Sequence, residues 1–497
     1  MYALISVSDK RNLIPFAKKL VEKNYTLISS GGTHQYLKEH GLEPLMVEDI
    51  THAKEMLGGR VKTLHPLIHG SILYMRDNED HLEDKEERNL IDLSLVVCNL
   101  YPFEHVLREN KDEDTLIENI DIGGPAMIRA AAKNYRDVLV CVDPDDYDEV
   151  IDNLDNVEYR KECAYKAFSY TASYDALISN TFAKNLDDKF PEMLTQTYRK
   201  KQDLRYGENP HQSAAYYERI DAYDNIPFTQ LHGKELSYNN INDLTGALKS
   251  LVHFNKPTAV AVKHANACGI ASGETILEAY TKAFNSDPIS IFGGIIALNE
   301  TVDEKTALKL SETFLEIVLA PSFTKEALAV LTKKKNLRLL EIKDIVEKRP
   351  LTLKGVLNGI LVQDEDTLDY EKLEVVSKRE PTEQEWDDLL FGWNAVKAID
   401  SNAVVLSKDE ETLALGHGEV RRVWSLEKSI ERSVKDVAGS ILASDGFFFE
   451  DTVEACHNAG IKAIIQPGGS VKDPNVIEAC DKYDIALVFT GTRHFKH

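Results

Sequence analysis

The stretch "TAVAVKHANACGIASGETILEAYTKAF" (residues 258–284) indicates how the second half of the chain folds. Its small apolar residues predict a buried strand that ends at Lys263 and His264, and after a polar loop the apolar spacing predicts a helix. A similar pattern recurs in "GSILASDGFFFEDTVEACHNAG" (residues 439–460), roughly 180 residues later. Each copy is followed by an apolar strand with a pair of glycines. We therefore expect two related α/β units in this half.

The first half of the chain alternates short apolar strands with amphipathic helices. The predicted strands are "YALISVS" (2–8), "TLIS" (26–29), "LSLVVCNLYPF" (93–103) and "VLVCVDP" (138–144). Strands that alternate with helices predict a parallel sheet covered by helices on both faces. Apolar periodicity fades near residue 195, which predicts an N-terminal domain over residues 1–195 and a C-terminal region over residues 196–497.

The composition excludes some classes of partner. The chain of 497 residues has 58 Lys and Arg against 82 Asp and Glu, a net charge of −24, which argues against binding to nucleic acid. No apolar run approaches the length of a membrane span, so we expect no membrane partner. Six scattered cysteines are typical of reduced thiols in the cytoplasm. A small anionic ligand is still allowed, because a helix N-terminus with a few cations can hold one phosphate.

The segment "SSGGTHQYL" (29–37) places two glycines between a strand and a helix. Glycines let the backbone approach a phosphate, and the first N–H groups of the helix have no partner within it. An ordinary strand-to-helix turn in which Thr33 caps the helix explains the same residues. The segment alone does not separate the two interpretations.

Two further segments in the first half carry cations. In "GGRVKTLHP" (58–66), Arg60 and Lys62 would share a face of extended backbone, although a surface loop is the favoured interpretation of this segment taken alone. In "IDIGGPAMIRAAAKN" (120–134), a glycine pair opens a helix on which Arg129 and Lys133 share a face, and Asp121 precedes it. Tyr101 follows an apolar strand at its carboxyl end, where α/β sheets usually bind ligands.

Polar residues also cluster in the second half. "LRYGENPHQ" (204–212) contains Arg205 and Tyr206, Asn402 stands at the entrance to a strand, and Arg493 lies in the terminal "GTRHFKH". Imidazole is the usual proton acceptor near neutral pH, so His264 with Lys263 suggests a base beside a cation. A structural role for both is the simpler alternative. Cys268 lacks the neighbours of a zinc deaminase motif and is interpreted as a packing residue.

In series, these motifs resemble the family of bifunctional purine biosynthesis enzymes, over nearly the whole chain. The resemblance rests on "SVSDK", "SSGGT", "GGRVKTLHP", "VCNLYPF", "IDIGGPAMIRAAAKN", "LRYGENPHQ", "VKHANACGIA" and "TGTRHF" in this order. It implies an IMP cyclohydrolase with a methylglyoxal-synthase-like fold, joined to a formyltransferase with a duplicated cytidine-deaminase-like fold and no metal. The formyltransferase would move a formyl group from 10-formyltetrahydrofolate to aminoimidazole carboxamide ribonucleotide (AICAR). The product, FAICAR, would then close to IMP.

The resemblance also implies a homodimer with the formyltransferase site at the subunit interface, and no tightly bound cofactor. By motif, the phosphate-binding residues of the cyclohydrolase would be Ser30, Gly31, Gly32 and Thr33. Its reaction centre would contain Arg60, Lys62, Thr63, Tyr101, Asp121 and Lys133. The formyltransferase would use Lys263 and His264 for catalysis. Its substrate-binding residues would be Arg205, Tyr206, Asn402, Arg422 and Arg493.

Some positions depart from the family pattern. Ala267 replaces a usual proline, and in "GHGEVRRVWS" (416–425) Glu419 and Arg421 replace a usual glutamine and serine. "SDGFFFE" (444–450) replaces S-D-A-F-F-P-F. Two alternatives follow: a cyclohydrolase whose formyltransferase site has changed, and a silent nucleotide-binding protein. Joint retention of Lys62, Lys133, Lys263 and His264 favours an enzyme over the silent protein.

Overall fold

The computed structural model describes residues 1–109, 112–183, 186, 188–220, 228–343 and 351–497. The chain divides into two compact units, Met1–Arg199 with Tyr217–Tyr223, and Lys200–Tyr216 with Asp224–His497. Among the helices in these ranges, none is both long enough and apolar enough to cross a bilayer.

The first unit is built on a five-stranded sheet in the order β3-β2-β1-β4-β5, with every neighbouring pair parallel. Its strands are β1 Tyr2–Val7, β2 Thr26–Ser29, β3 Leu45–Met46, β4 Leu93–Asn99 and β5 Leu139–Cys141. Its helices are α1 Leu13–Glu22, α2 Gly31–Glu39, α3 Val47–Thr51, α4 Pro66–Leu73, α5 Glu79–Arg88, α6 Phe103–Arg108, α7 Glu113–Glu118, α8 Gly123–Lys133, α9 Tyr147–Asp152 and α10 Val157–Ala183. Every residue of β4 is buried, as expected for a strand covered on both faces. The predicted parallel sheet is confirmed.

The second unit is built on a twelve-stranded sheet in the order β16-β21-β20-β19-β17-β18-β10-β9-β11-β12-β13-β8. The strands from residue 198 onward are β6 Tyr198–Leu204, β7 Ala214–Arg219, β8 Phe228–His232, β9 Thr258–Lys263, β10 Asn266–Ser272, β11 Ile295–Leu298, β12 Ile317–Ala320, β13 Arg338–Ile342, β14 Leu351–Val356, β15 Gly359–Asp364, β16 Glu374–Val375, β17 Val404–Lys408, β18 Glu411–Gly416, β19 Ile441–Ser444, β20 Ala463–Gln466 and β21 Ala486–Phe489. The helices are α11 Tyr238–Leu251, α12 Ile276–Ser286, α13 Glu304–Ser311, α14 Lys325–Leu331, α15 Glu383–Val396, α16 Arg422–Arg432, α17 Glu450–Ala459 and α18 Asp473–Tyr483. β6–β7 and β14–β15 form separate two-stranded sheets.

The strand order confirms a duplication but corrects the pairing of the two copies. The orders β9-β11-β12-β13 and β17-β19-β20-β21 mirror each other across the central β10–β18 pair. Thr258 begins β9 and Val404 begins β17, an offset of 146 residues, and the starts of β11 and β19 have the same offset. The apolar pattern of the sequence pairs β9 with β19 instead, because every buried strand of a sheet covered on both faces has a similar apolar composition.

The predicted polar loop after Lys263 is also wrong. Residues 266–272 form β10, which pairs antiparallel with β9 and faces Lys263 with Asn266. The two-residue turn between the strands has positive φ at both positions, 55° at His264 and 60° at Ala265. These values define the turn of a tight β-hairpin, which usually carries Asn or Gly. His264 therefore lies at an exposed hairpin tip at the end of a buried strand.

Candidate active sites

The start of α2 forms one wall of a site in the first unit. Ser30 is the residue before the helix, and Gly31 follows with φ of 52°, a conformation that glycine adopts without strain. Gly31 and Gly32 are exposed, so the N–H groups at this helix start are accessible to an anion. A Cβ placed on Gly31 would lie 3.2 Å from Lys62 Nζ. The structure thus brings the Lys62 ammonium to the glycine pair.

Thr33 does not cap α2, contrary to one interpretation of the sequence. Ser30 occupies the cap position, and the Thr33 hydroxyl is buried against β1. It accepts a hydrogen bond from Val7 N and donates one to Val7 O, both at 3.1 Å. The Thr33 side chain therefore fixes the start of α2 to the end of β1.

Arg60 and Lys62 lie in a compact loop rather than on extended backbone, so the expected common face is wrong. A 3₁₀ helix spans Leu57–Gly59, and Arg60 continues it with φ of −65° and ψ of −23°. Arg60 pairs with Glu118, and Lys62 Nζ lies 3.2 Å from Glu55 Oε2. Of the two cations, Lys62 is the one that the structure places at α2.

Asp121, Thr63 and Tyr101 meet at the start of α8. Asp121 Oδ1 accepts a hydrogen bond from Gly124 N at 2.8 Å, and the Asp121 carboxylate also accepts one from the Tyr101 backbone. A Cβ placed on Gly123 would lie 2.9 Å from Thr63 Oγ1. Since Thr63 follows Lys62 in the chain, the starts of α2 and α8 belong to one site. Burial raises the pKa of Asp121, although the hydrogen bonds from Gly124 and Tyr101 oppose the rise.

We expect this raised pKa to appear in the pH profile of a reaction at the site. If the ionised Asp121 carboxylate is required, activity falls as the pH is lowered through a pKa above the ordinary aspartate value of 3.8. Asp121→Asn should lower the rate and remove this acid limb. The control is Asp114→Asn, on exposed α7, which should keep it. An unchanged acid limb in the Asp121 variant would assign it to another group.

Lys133 lies away from this cluster. It is in the last turn of α8, about 15 Å along the helix axis from Gly123 at 1.5 Å per residue. Arg129 and Lys133 do share a helix face, as predicted, and both line a groove of about 740 Å³ with Phe168. Within one chain, the structure therefore does not bring Lys133 to Lys62 and Asp121.

In the second unit, the His264 turn is held by a residue that no sequence motif indicates. Asp243, on α11, accepts a hydrogen bond from Ala265 N through Oδ1 at 2.6 Å. Lys263 Nζ donates to Phe292 O at 2.8 Å, in the turn before β11. The segment "KELSYNNIND" (234–243) contains Asp243, but no local pattern indicates that its carboxylate supports a distant turn.

The second repeat contains the same support without the imidazole. Its hairpin turn consists of Asp409 and Glu410, with φ of 53° and 55°, and Asp388 Oδ1 on α15 accepts from Glu410 N at 2.8 Å. Lys408 ends β17 as Lys263 ends β9. A histidine stands in only one of these two matched turns.

This symmetry provides a matched test of Asp243. Asp243→Asn weakens the support of the His264 turn, and we expect the rate of a reaction that uses His264 to fall about tenfold, the effect of losing one charged hydrogen bond. Asp388→Asn makes the same change at the other turn and should affect stability but not that rate. Rate constants and melting temperatures of both variants check the prediction. Equal loss of rate in the two variants would contradict a specific role for Asp243.

The Arg205–Tyr206 loop lies beside the start of α11. The Arg205 guanidinium lies 5.7 Å from the centroid of the Tyr206 ring. Asn239, in the first turn of α11, donates to Glu208 O at 3.4 Å. Asn239 and Asp243 are four residues apart and share a helix face. The loop and the His264 turn are therefore both attached to the first half of α11.

Asn402 and Arg422 form a second cluster with Asp445. The Arg422 side chain is buried, pairs with the fully buried Asp445, and donates to Asn402 Oδ1 at 2.7 Å. The Asn402 amide in turn donates to Glu419 O at 2.8 Å. Burial lowers the pKa of Arg422, and the Asp445 carboxylate opposes this effect. The Arg422 guanidinium thus contacts both Asp445 and Asn402, and Arg493 is exposed in the chain segment after β21.

The residues that depart from the family pattern have partners of their own. Glu419 pairs with Lys428, and Arg421 stacks 5.1 Å from the centroid of Trp424 and lies 3.4 Å from Asp451. Ala267 pairs with Val262 on β9, immediately before the point where the β9–β10 register shifts. The changed segments are thus compatible with an assembled site.

Cys268 is not suited to nucleophilic or metal chemistry. Burial raises the pKa of its thiol to about 12, and Sγ donates to Ala261 O at 3.5 Å. Across the described residues, no group of three or more His, Cys, Asp or Glu side chains could hold a metal ion.

The His264 turn and the Asn402–Arg422 cluster lie at the same end of the strands of the large sheet. β17 runs antiparallel to β9. The last residue of β9, Lys263, therefore lies on the same side of the sheet's long axis as the first residue of β17, which follows Asn402 closely in the chain. Two strands, β18 and β10, separate them. At about 4.8 Å per strand, the two clusters are about 14 Å apart within one chain.

Comparisons with known proteins cover the whole chain. The AICARFT/IMPCHase bienzyme family model matches residues 131–432, and the MGS-like domain model matches residues 12–126. A bifunctional purine biosynthesis protein PurH of Thermoanaerobacter sp. (strain X514) is 52% identical over 505 residues, covering 100% of this chain and 99% of the relative. Proteins of the same name from Clostridioides difficile (strain 630) and Anoxybacillus flavithermus (strain DSM 21510 / WK1) are 49% and 50% identical, with the same coverage.

Proposed function

Because the chain belongs to the AICARFT/IMPCHase bienzyme family, we propose how its residues divide two reactions. The enzyme transfers a formyl group to AICAR, giving FAICAR, and closes FAICAR to IMP. The resemblance drawn from the sequence is thereby confirmed, and neither a cyclohydrolase alone nor a silent binding protein is supported. We assign ring closure to residues 1–195 and formyl transfer to residues 196–497. The contact between Lys62 and the α2 start is the observation that carries the first assignment.

In the cyclohydrolase, the start of α2 binds the nucleotide phosphate. Ser30, Gly31 and Gly32 provide the backbone N–H groups of this helix start, which is exposed at the two glycines, and Thr33 holds the helix in place. Ring closure joins the carboxamide nitrogen to the formyl carbon of the same molecule, and water is then lost. Positioning supplies much of the rate, because no second reactant must be captured. Lys62 stabilises the oxygen that gains negative charge. Asp121 and Tyr101 orient the carboxamide or accept the proton that its nitrogen loses. We also assign Arg60, Thr63 and Lys133 to the reaction centre of the cyclohydrolase.

In the formyltransferase, His264 removes a proton from the 5-amino group of AICAR as its nitrogen attacks the formyl carbon. Lys263 stabilises the tetrahedral oxyanion, which collapses as the bond to the donor nitrogen breaks and that nitrogen takes up the proton held by His264, leaving as tetrahydrofolate. Arg205, Tyr206, Asn402, Arg422 and Arg493 bind AICAR. The donor is 10-formyltetrahydrofolate, used as a cosubstrate. The exposed hairpin tip supports this assignment, since it presents His264 and Lys263 to a ligand outside the strand ends.

We further propose that the enzyme acts as a homodimer in the cytoplasm. Lys133 lies about 15 Å along α8 from its proposed site, and the two formyltransferase clusters lie about 14 Å apart in one chain. A second copy of the chain can supply the missing side of each site. Sedimentation at assay concentrations should give twice the mass of one chain, 55.9 kDa.

One coupled assay tests the division of labour. Purified enzyme is mixed with AICAR and 10-formyltetrahydrofolate while FAICAR and IMP are followed separately. We expect IMP to form from either AICAR or FAICAR. Turnover of FAICAR without turnover of AICAR would remove the donor and formyltransferase assignments while leaving ring closure intact.

A further inference from the structure

The chain end alternates exposed and buried side chains in a way that suggests an anchor. After β21, Arg493 and Phe495 are exposed, whereas the His494 side chain between them is fully buried. His494 is therefore the residue that fixes the direction in which its two neighbours project.

Both ring nitrogens of His494 have partners. Nδ1 lies 2.6 Å from Asp366 Oδ2, and Nε2 lies 3.3 Å from Asp369 O. The ring packs 4.8 Å from the Trp393 ring, centroid to centroid. Trp393 Nε1 donates to the same Asp369 carbonyl at 2.7 Å, and Lys397 pairs with the Asp369 carboxylate. The imidazole thus packs against α15 and the segment before β16.

The main chain of the terminal segment is attached to the proposed AICAR site. His494 N donates to Asp445 O at 3.0 Å, and the Asp445 carboxylate holds Arg422. Ser401 N donates to Lys496 O at 2.9 Å, immediately before Asn402. These bonds place Arg493 and Phe495 in a fixed register with Asn402 and Arg422.

Gly446 has no side chain and so leaves room for the side chains of Phe495 and Arg422. A Cβ placed on Gly446 would lie 2.6 Å from Phe495 Cε1 and 2.6 Å from Arg422 Nη2. Both distances are shorter than any real carbon contact, so a larger residue would displace one of the two side chains. The glycine in "SDGFFFE" therefore allows Phe495 to close over the turn after β19.

We infer that His494 is a positioning residue for formyl transfer, which holds Arg493 and Phe495 at the AICAR site through its contacts with Asp366 and Trp393. This inference rests on the proposed function of Arg493 in binding AICAR. His494 itself is buried and does not touch the substrate. Its contribution is to reduce the freedom that Arg493 must lose when AICAR binds.

The test compares the full-length variants H494A, H494Q and D366N in steady-state formyl transfer. We expect H494A to raise KM for AICAR about tenfold with a smaller change in kcat, because the arginine remains present but is no longer held. H494Q, which can still donate to Asp366, should recover part of the loss. D366N removes only a half-exposed carboxylate, so it should raise KM without preventing folding. Ring closure of FAICAR in the same preparations should be unchanged.

A double variant separates positioning from general destabilisation. If His494 acts through Arg493, H494A should change KM less than twofold in an R493A background. The inference would be overturned if the fold-change in KM of the double variant equalled the product of the fold-changes in H494A and R493A. An unchanged KM in both H494A and D366N would also overturn it. An unchanged KM in R493A alone would instead refute the proposed role of Arg493 in AICAR binding.

Discussion

His264→Ala is expected to lower formyl transfer by about 10²- to 10⁴-fold, the range that general-base catalysis contributes, while ring closure stays within twofold of the original rate. The imidazole is at an exposed hairpin tip, so its removal creates no cavity in the core. The positive φ of 55° at this position is maintained by the hairpin and by Asp243, which holds the next residue. Single-turnover formation of FAICAR from AICAR and 10-formyltetrahydrofolate measures the effect.

The control for His264 is Asp409→Ala in the matched turn of the second repeat. It likewise shortens the side chain to Cβ at the matched backbone position and should leave both activities intact. Equal loss of ring closure and formyl transfer in the His264 variant would show that the two reactions do not use separate sites as assigned.

Lys62→Met is expected to have the opposite selectivity, with ring closure lowered by about 10²- to 10³-fold and formyl transfer retained. The Lys62 ammonium lies beside Gly31 at the start of α2, where the substrate phosphate is proposed to bind. Methionine keeps the length and apolar volume of the side chain but removes its charge. Conversion of FAICAR to IMP, followed alone, gives the rate.

Lys54→Met, at an exposed position in the same segment, is the control for nonspecific loss of positive charge. A mixture of the Lys62 and His264 variants should again form IMP from AICAR, because FAICAR made by one can be closed by the other. No recovery in the mixture, despite one intact activity in each variant, would contradict two independent sites.

Much of the fold could be predicted because burial leaves a direct pattern in the sequence. The strand "TLIS" was predicted over residues 26–29 and is β2 over the same residues. The end of β9 at Lys263 was also predicted, since an apolar run rarely continues through two polar residues. Strand β10 was missed because its small residues and the His264–Ala265 turn lack the Asn or Gly that usually marks a hairpin.

The sites were less predictable than the fold, because their residues meet through tertiary contacts. Family resemblance selected Lys62 and Asp121, but only the structure relates them, through Thr63 and the start of α8. Asp243 went unnoticed because a carboxylate on a helix is usually solvated. Its actual partner is a backbone N–H 22 residues later in the chain.

The turn formed by Asp409 and Glu410 has a practical consequence for engineering. Duplication produced two hairpins with the same backbone conformation and the same support from an aspartate. They lie at opposite ends of the strands of the large sheet. Only the first is assigned chemistry, so we expect changes at the second to alter stability and to leave turnover unchanged. A short peptide label or fluorophore inserted between Asp409 and Glu410 would report on the enzyme while the His264 turn stays intact.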